Sequence, residues 1–185
     1  MKTPWEEIEP RISAAMARAR ELVLAAAPAG DNSAAANTFA LGFCWGAWPV
    51  AKLLANDGAE TAVDTAHSLP RLRGGVCYHP SFQVGGDVAT IAAAVRGPLL
   101  LAPCGDDPED VQEGGLVSQQ LSGRSDFAIR PFPDMLHGFM TRGPLEDAAI
   151  ARCYAEGKGL ALDFMRAHAA GGAPPAGAGE ATRAV

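Results

Sequence analysis

The pentapeptide Gly42-Phe43-Cys44-Trp45-Gly46 constrains this chain more than any other feature, because it places a thiol where a strand gives way to a helix. The preceding Thr38-Phe39-Ala40-Leu41 is a short apolar run, and the stretch from Trp45 to Ala55 is rich in Ala, Leu and Trp, as a helix packed on a sheet would be. A G-x-nucleophile-x-G pattern between strand and helix is a nucleophile elbow. Its glycines are expected to let the helix pass close to the strand, with the central residue in a strained turn. The first helical amides and the positive end of the helix dipole then favour a thiolate or a developing oxyanion beside Cys44. The plain alternative is a small buried residue in a tight turn.

The rest of the chain alternates strands and helices. Pro4 at a first helical position, inside a Thr3-x-x-Glu6 capping box, predicts a helix start. Ile8, Ile12, Met16 and Val23 line one face of that helix, which should end near Pro28-Ala29-Gly30. Strands are expected at Gly74 to Tyr78, at Pro98 to Ala102 and, more weakly, at Phe127 to Pro131. Helices are expected at Asp87 to Val95 and Pro144 to His168, with a poorly defined segment from Val111 to Leu121 and Gly157 and Gly159 weakening the last helix. This alternation predicts an α/β domain over residues 1–168 with a mostly parallel sheet covered on both faces. The Ala, Gly and Pro of residues 169–185 cannot bury enough surface to offset ordering entropy, and a disordered tail is expected there.

A chain of 185 residues supports one domain with a real core. The net charge of −6, with no basic cluster, argues against a nucleic-acid surface. No apolar run is long enough for a membrane span, and the first residues lack the basic start of a signal peptide. Cysteines at 44, 77, 104 and 153 form neither CxxC pairs nor a disulfide framework, which fits the reducing cytoplasm. Their spacing to His79 and His137 matches no zinc pattern, so no metal site is expected.

Three candidate groups follow predicted strands in the order Cys44, Asp107, His137. Nucleophile, acid, histidine is the order of α/β-hydrolases, whose sites sit at the carboxyl ends of the strands. Cys44 needs a base; His137 would supply it, and Asp107 would hold its tautomer. Asp106 is the competing acid, and Asp-Pro also starts turns readily. His137 alone could be a core histidine. His79, after another strand, is either a loop histidine or a residue facing the same cleft. Arg142 is either a solvated loop arginine or a group that meets a substrate carboxylate. Trp45 and Trp48 should pack the elbow helix, with Trp45 as a potential pocket wall.

Gly-Phe-Cys-Trp-Gly, Leu-Ala-Pro-Cys-Gly-Asp-Asp-Pro-Glu-Asp and Phe-Pro-Asp-Met-Leu-His-Gly-Phe-Met-Thr-Arg-Gly together resemble the dienelactone hydrolase family, in consistent order over about residues 4 to 168. The resemblance implies an α/β-hydrolase-type three-layer sandwich that opens lactones or small carboxylic esters with neither metal nor organic cofactor. It maps Cys44 to the nucleophile, His137 to the histidine, Asp107 to the acid, the Trp45 amide to the oxyanion site, and Arg142 to substrate binding, for which His79 is a second candidate by its place after a strand. Family members carry several strands and a helix before the helix that begins here at Thr3, so the chain is expected to be N-terminally truncated. Those strands carry the second oxyanion amide and an acidic contact to the resting nucleophile, and without them a sheet edge lies open to self-association. A catalytically weak member acting as a binding protein is the rival expectation, and a thiol redox role at Cys44 is a third, disfavoured by the lack of a resolving partner.

Overall fold

The computed structural model describes residues 4–28, 37–55 and 72–169. Helix α1 (Trp5–Ala26) opens with Pro4 at its N-cap, one position before the expected one, and with Glu6 and Glu7 in the first turn, where the helix dipole favours acidic side chains. Thr3 of the expected capping box lies outside the described residues, as do Ala29 and Gly30 of the expected stop and residues 170–185 of the tail. The helix closes at Ala26, with the Ala27 amide donating to the Val23 carbonyl.

Strand β1 (Phe39–Phe43) runs into a single 3-10 turn, Cys44–Gly46, and then helix α2 (Ala47–Leu54). Strand β2 (Gly74–Tyr78) follows, then a 3-10 turn at Phe82–Gly85, helix α3 (Val88–Ala94) and strand β3 (Leu99–Ala102). A third 3-10 turn (Glu109–Val111), helix α4 (Leu116–Gln120) and strand β4 (Phe127–Ile129) come next, and helices α5 (Phe139–Arg142) and α6 (Ala148–His168) complete the order. Asp147 accepts from the Ala149 and Ile150 amides, so α6 begins after this cap and not at Pro144. Asp87 caps α3 by accepting from Thr90.

The four strands form one all-parallel sheet in the order β1-β2-β3-β4. Each strand is added on the same side as the last, so right-handed crossovers place the connecting helices on a single face. On that face Cys77, Leu99 and Leu101 pack against Trp48, Val50 and Leu54 of α2, Ile91 of α3 and Val117 of α4, with Ile8 of α1 joining them. Side chains alternate along the strands, so Val76, Tyr78, Leu100 and Ala102 point the other way. There they meet Ala161 and Phe164 of α6, and Phe132 and Phe139 from the connection before it. α6 comes close to the sheet at Gly157, where the Tyr78 hydroxyl donates to the Gly157 carbonyl at 2.6 Å. The fold is α/β with a four-stranded parallel sheet and apolar helices on both faces. Among the described residues, β1 pairs with β2 alone.

Candidate active site

Phe43 and Tyr78 are the last paired residues of β1 and β2. Immediately after them, Cys44 and His79 both take left-handed backbone conformations, with φ of +54° and +36°. These are the only non-glycine residues with positive φ among the described ones. Such geometry is costly for ordinary side chains and persists where surrounding structure holds it. Gly42 makes the turn at Cys44 sterically feasible: a Cβ there would stand 2.5 Å from the Gly46 carbonyl oxygen and 2.7 Å from the Ala47 backbone. Gly46 differs from the expectation, because a Cβ at that position would meet nothing within 4 Å. Close approach at the elbow therefore depends on one glycine.

The segment after β2 clasps the elbow. The Cys44 amide donates to His79 Nδ1 at 3.1 Å, and the Ser81 amide donates to the Cys44 carbonyl at 3.1 Å. Ser81 Oγ lies 3.7 Å from Cys44 Sγ. His79 is wholly buried, so it faces Cys44 and His137 and not an open cleft. Its Nε2 has no hydrogen-bond partner, and its ring meets the His137 ring edge-to-face with centroids 4.9 Å apart. Burial, reinforced by the neighbouring His137, pushes His79 down to about 4, so it is a neutral imidazole at physiological pH.

The acid and the histidine come from the loops after β3 and β4. Asp107 Oδ1 lies 2.5 Å from His137 Nδ1, and Oδ2 accepts the Cys104 amide at 2.6 Å. Asp106 takes a different part of the same residue: its Oδ1 accepts the His137 backbone amide at 2.6 Å. Gln112 stitches the acid loop, its Nε2 donating to the carbonyls of Cys104 at 2.6 Å and Asp107 at 3.0 Å. Burial raises Asp107 more than its hydrogen bonds from His137 and Cys104 lower it. For His137, burial alone would lower the ring, but hydrogen bonds to Asp107 and Cys44 outweigh it and raise it. Burial likewise pushes the Cys44 thiol up, while hydrogen bonds from His137, Ser81 and the Trp45 amide leave it lowered overall. With Nδ1 committed to Asp107, Nε2 of His137 is the nitrogen left for the sulfur.

Cys44, Asp107 and His137 are thus brought together, with Trp45 next to the sulfur through its amide. The Trp45 ring is 43% exposed and meets the buried Trp48 edge-to-face. Arg142, at the end of α5, is exposed, and its guanidinium lies over Gly138, where a Cβ would stand 2.5 Å from its terminal nitrogen. Ser81 and Gln112 went unnoticed in the sequence. Ser81 had one available signal, its place two residues past His79 in a loop at a strand's carboxyl end. Among the described residues no group of three or more His, Cys, Asp or Glu side chains could hold a metal ion. None of the described helices is long and apolar enough to cross a membrane. No family model matches the chain, and no curated protein or solved structure matches it.

Proposed function

We propose that this protein is a cysteine-dependent hydrolase of the dienelactone hydrolase kind, on an α/β-hydrolase-type scaffold, that cleaves a lactone or a small carboxylic ester. The observation that carries the reading is the 2.5 Å contact from Asp107 to His137 Nδ1, beside a thiol on a left-handed elbow that the same imidazole helps to lower. A core histidine needs neither an acid on one nitrogen nor a nucleophile on the other.

In the proposed reaction the Cys44 Sγ pair forms a bond to the carbonyl carbon, the thiol proton passes to His137 Nε2, and the carbonyl π pair moves onto oxygen. The Trp45 amide, at the start of the elbow turn, faces that developing charge. The pair then re-forms the carbonyl, the bond to the leaving oxygen breaks, and His137 returns its proton to that oxygen. Water, deprotonated by His137, then bonds through its oxygen to the thioester carbon; the adduct collapses with cleavage of the C–S bond, the acid leaves, and His137 returns the proton to the sulfur. Asp107 fixes the tautomer throughout. Arg142, charged and exposed five residues beyond His137, suits a substrate carrying a carboxylate. A reducing cytoplasmic setting fits a nucleophile that must remain a thiol.

Intact-mass analysis after exposure to p-nitrophenyl acetate tests the reading. One acetyl adduct on the wild type, absent from Cys44→Ala, is the expected result. No adduct on the wild type together with no p-nitrophenolate release above that of Cys44→Ala, across neutral to alkaline pH, overturns it.

One observation favours a non-catalytic binding role as the second reading. β1 pairs on one side only among the described residues, and Leu41 on that strand and the adjacent Trp45 are 44% and 43% exposed. An open strand edge with apolar neighbours is suited to self-association. Concentration-dependent light scattering without acylation would support it.

A further inference from the structure

We infer that the Ser81 hydroxyl is a catalytic hydrogen-bond donor, acting with the Trp45 amide on the oxyanion that forms when Cys44 attacks a carbonyl. This rests on the hydrolase reading above and adds a residue to it.

Ser81 is buried, with 7% of its surface exposed, and the sole hydrogen-bond partner of its Oγ among the described residues is Cys44 Sγ at 3.7 Å. It is the N-cap residue of the Phe82–Gly85 turn, but its side chain makes no capping bond there and, among the described residues, none to a backbone carbonyl. A buried hydroxyl is normally satisfied by a structural partner. Here the hydroxyl lies against the nucleophile, and it is the donor whenever the sulfur is a thiolate.

That partner changes character during the reaction. The resting sulfur can be a thiolate, a good acceptor. Once the S–C bond forms, the sulfur's charge has moved to the former carbonyl oxygen, two bonds away, and the neutral sulfur is a weak acceptor. The Ser81 donor would then be buried and nearly unsatisfied unless it followed the charge. The Trp45 amide, which like His137 also bonds the resting sulfur, faces the same shift. Two donors gathered at the atom from which charge departs can serve the oxygen to which it moves. Relative to a resting thiol, a weak acceptor, both then bind the transition state more tightly than the ground state.

Preorganisation is built into the backbone. The Ser81 amide donates to the Cys44 carbonyl, and the Val84 amide donates to the Ser81 carbonyl at 3.3 Å. Two residues earlier, His79 Nδ1 holds the Cys44 amide. Ser81 and Cys44 therefore belong to one rigid turn-on-turn assembly, and the hydroxyl needs no rearrangement of its main chain to act.

The test compares two reactions of one sulfur. Acylation by p-nitrophenyl acetate creates an oxyanion; alkylation by iodoacetamide does not. Both are measured in single turnover against pH on the wild type, Ser81→Ala and Ser81→Thr, with thermal melts to verify folding. Ser81→Ala should slow acylation about a hundred- to a thousandfold at matched thiolate fraction, while alkylation changes little. Ser81→Thr, which keeps the hydroxyl, should recover most of the acylation rate. If Ser81→Ala acylates like the wild type, the inference falls and the hydrolase reading stands. If both reactions slow equally, Ser81 serves only ionisation or folding of the elbow, which also overturns it. A wild type that alkylates but never acylates removes the hydrolase reading and the Ser81 role with it.

Discussion

The Cys104 amide donates to Oδ2 of Asp107 at 2.6 Å, which leaves Oδ1 of the same carboxylate aimed at His137. This main-chain anchor decides between two adjacent aspartates. Asp106 uses its carboxylate to position the His137 backbone, and Asp107 uses its own to orient the ring. Asp107→Asn should therefore lower kcat/KM for an ester on the order of 10³- to 10⁴-fold by presenting the wrong partner to Nδ1. Asp106→Asn keeps an oxygen for the backbone amide and should cost far less. Steady-state kinetics on both variants checks the ranking, and the reverse order would move the acid to Asp106.

Thiol reactivity should single out Cys44. Its thiol is lowered overall, whereas burial pushes Cys104 up to about 12 and Cys77 higher still. The two raised thiols are also fully buried, which leaves the half-buried Cys153 as the competitor. Iodoacetamide labelling followed by peptide mapping should find Cys44 modified first, with a midpoint below that of an ordinary thiol. In His137→Ala that midpoint should rise. First labelling at Cys153 would contradict the assignment of the elbow.

The two elbow glycines should respond very differently to added methyl groups. Gly42→Ala drives a Cβ into the Gly46 carbonyl and the Ala47 backbone, neither of which can swing aside. A loss of about 2–4 kcal/mol is expected, of the size that severe core overpacking produces. Gly46→Ala enters open space at an ordinary helical φ of −62°, and should change stability by no more than about 0.5 kcal/mol. Urea denaturation of the two variants measures both.

Acid should weaken the fold through His79. Its folded-state value of about 4 lies below the ordinary 6.5. The stability tied to its neutral form is intact above 6.5 and is lost as pH falls from there towards 4, because the unfolded chain takes up the proton first. His137, raised in the fold, works in the opposite sense: its contribution is present below 6.5 and fades as pH rises through its folded value. The groups around His79 are His137, Arg142 and Asp106, so its own share is read as a difference. His79→Asn, which keeps a backbone-amide acceptor and tolerates positive φ, should melt less steeply with acid between pH 7 and 4.5 than the wild type. Identical pH profiles would contradict the buried neutral imidazole.

The sheet was legible because its strands carry strong local signals. Gly74-Gly75-Val76-Cys77-Tyr78, closed by His79-Pro80, became β2 with the bounds expected of it. β4 stopped short of expectation at Ile129, yet pairing reaches past Pro131: the Arg130 amide donates to Leu101 and the Phe132 amide to Pro103, with Cys104 and Phe132 forming an isolated parallel bridge. α5 was missed because its four residues carry no period; it arises as a turn following Gly138 at φ +95°. Cys44, Asp107 and His137 could be nominated from chain order because each follows a strand. Ser81 shares that position only loosely and Gln112 not at all, and the partners of both, 37 and 8 residues away, are chosen by loop geometry. The division of labour between Asp106 and Asp107 likewise depends on which carboxylate the Cys104 amide reaches.

The paired backbone reversals at Cys44 and His79 also set a limit on how this protein could be diversified. Each position sits at positive φ, where β-branched and bulky residues are disfavoured and His, Asn, Asp and Gly are comparatively at home. A randomised library at 44 and 79 would consist mostly of chains that fold badly, whatever their chemistry. Variation at Trp45, Leu136 and Arg142 carries no such backbone penalty, and all three side chains are open to solvent around the sulfur and the imidazole. New substrate preferences are best sought there, leaving the two turns as the unvaried frame of the alphabet.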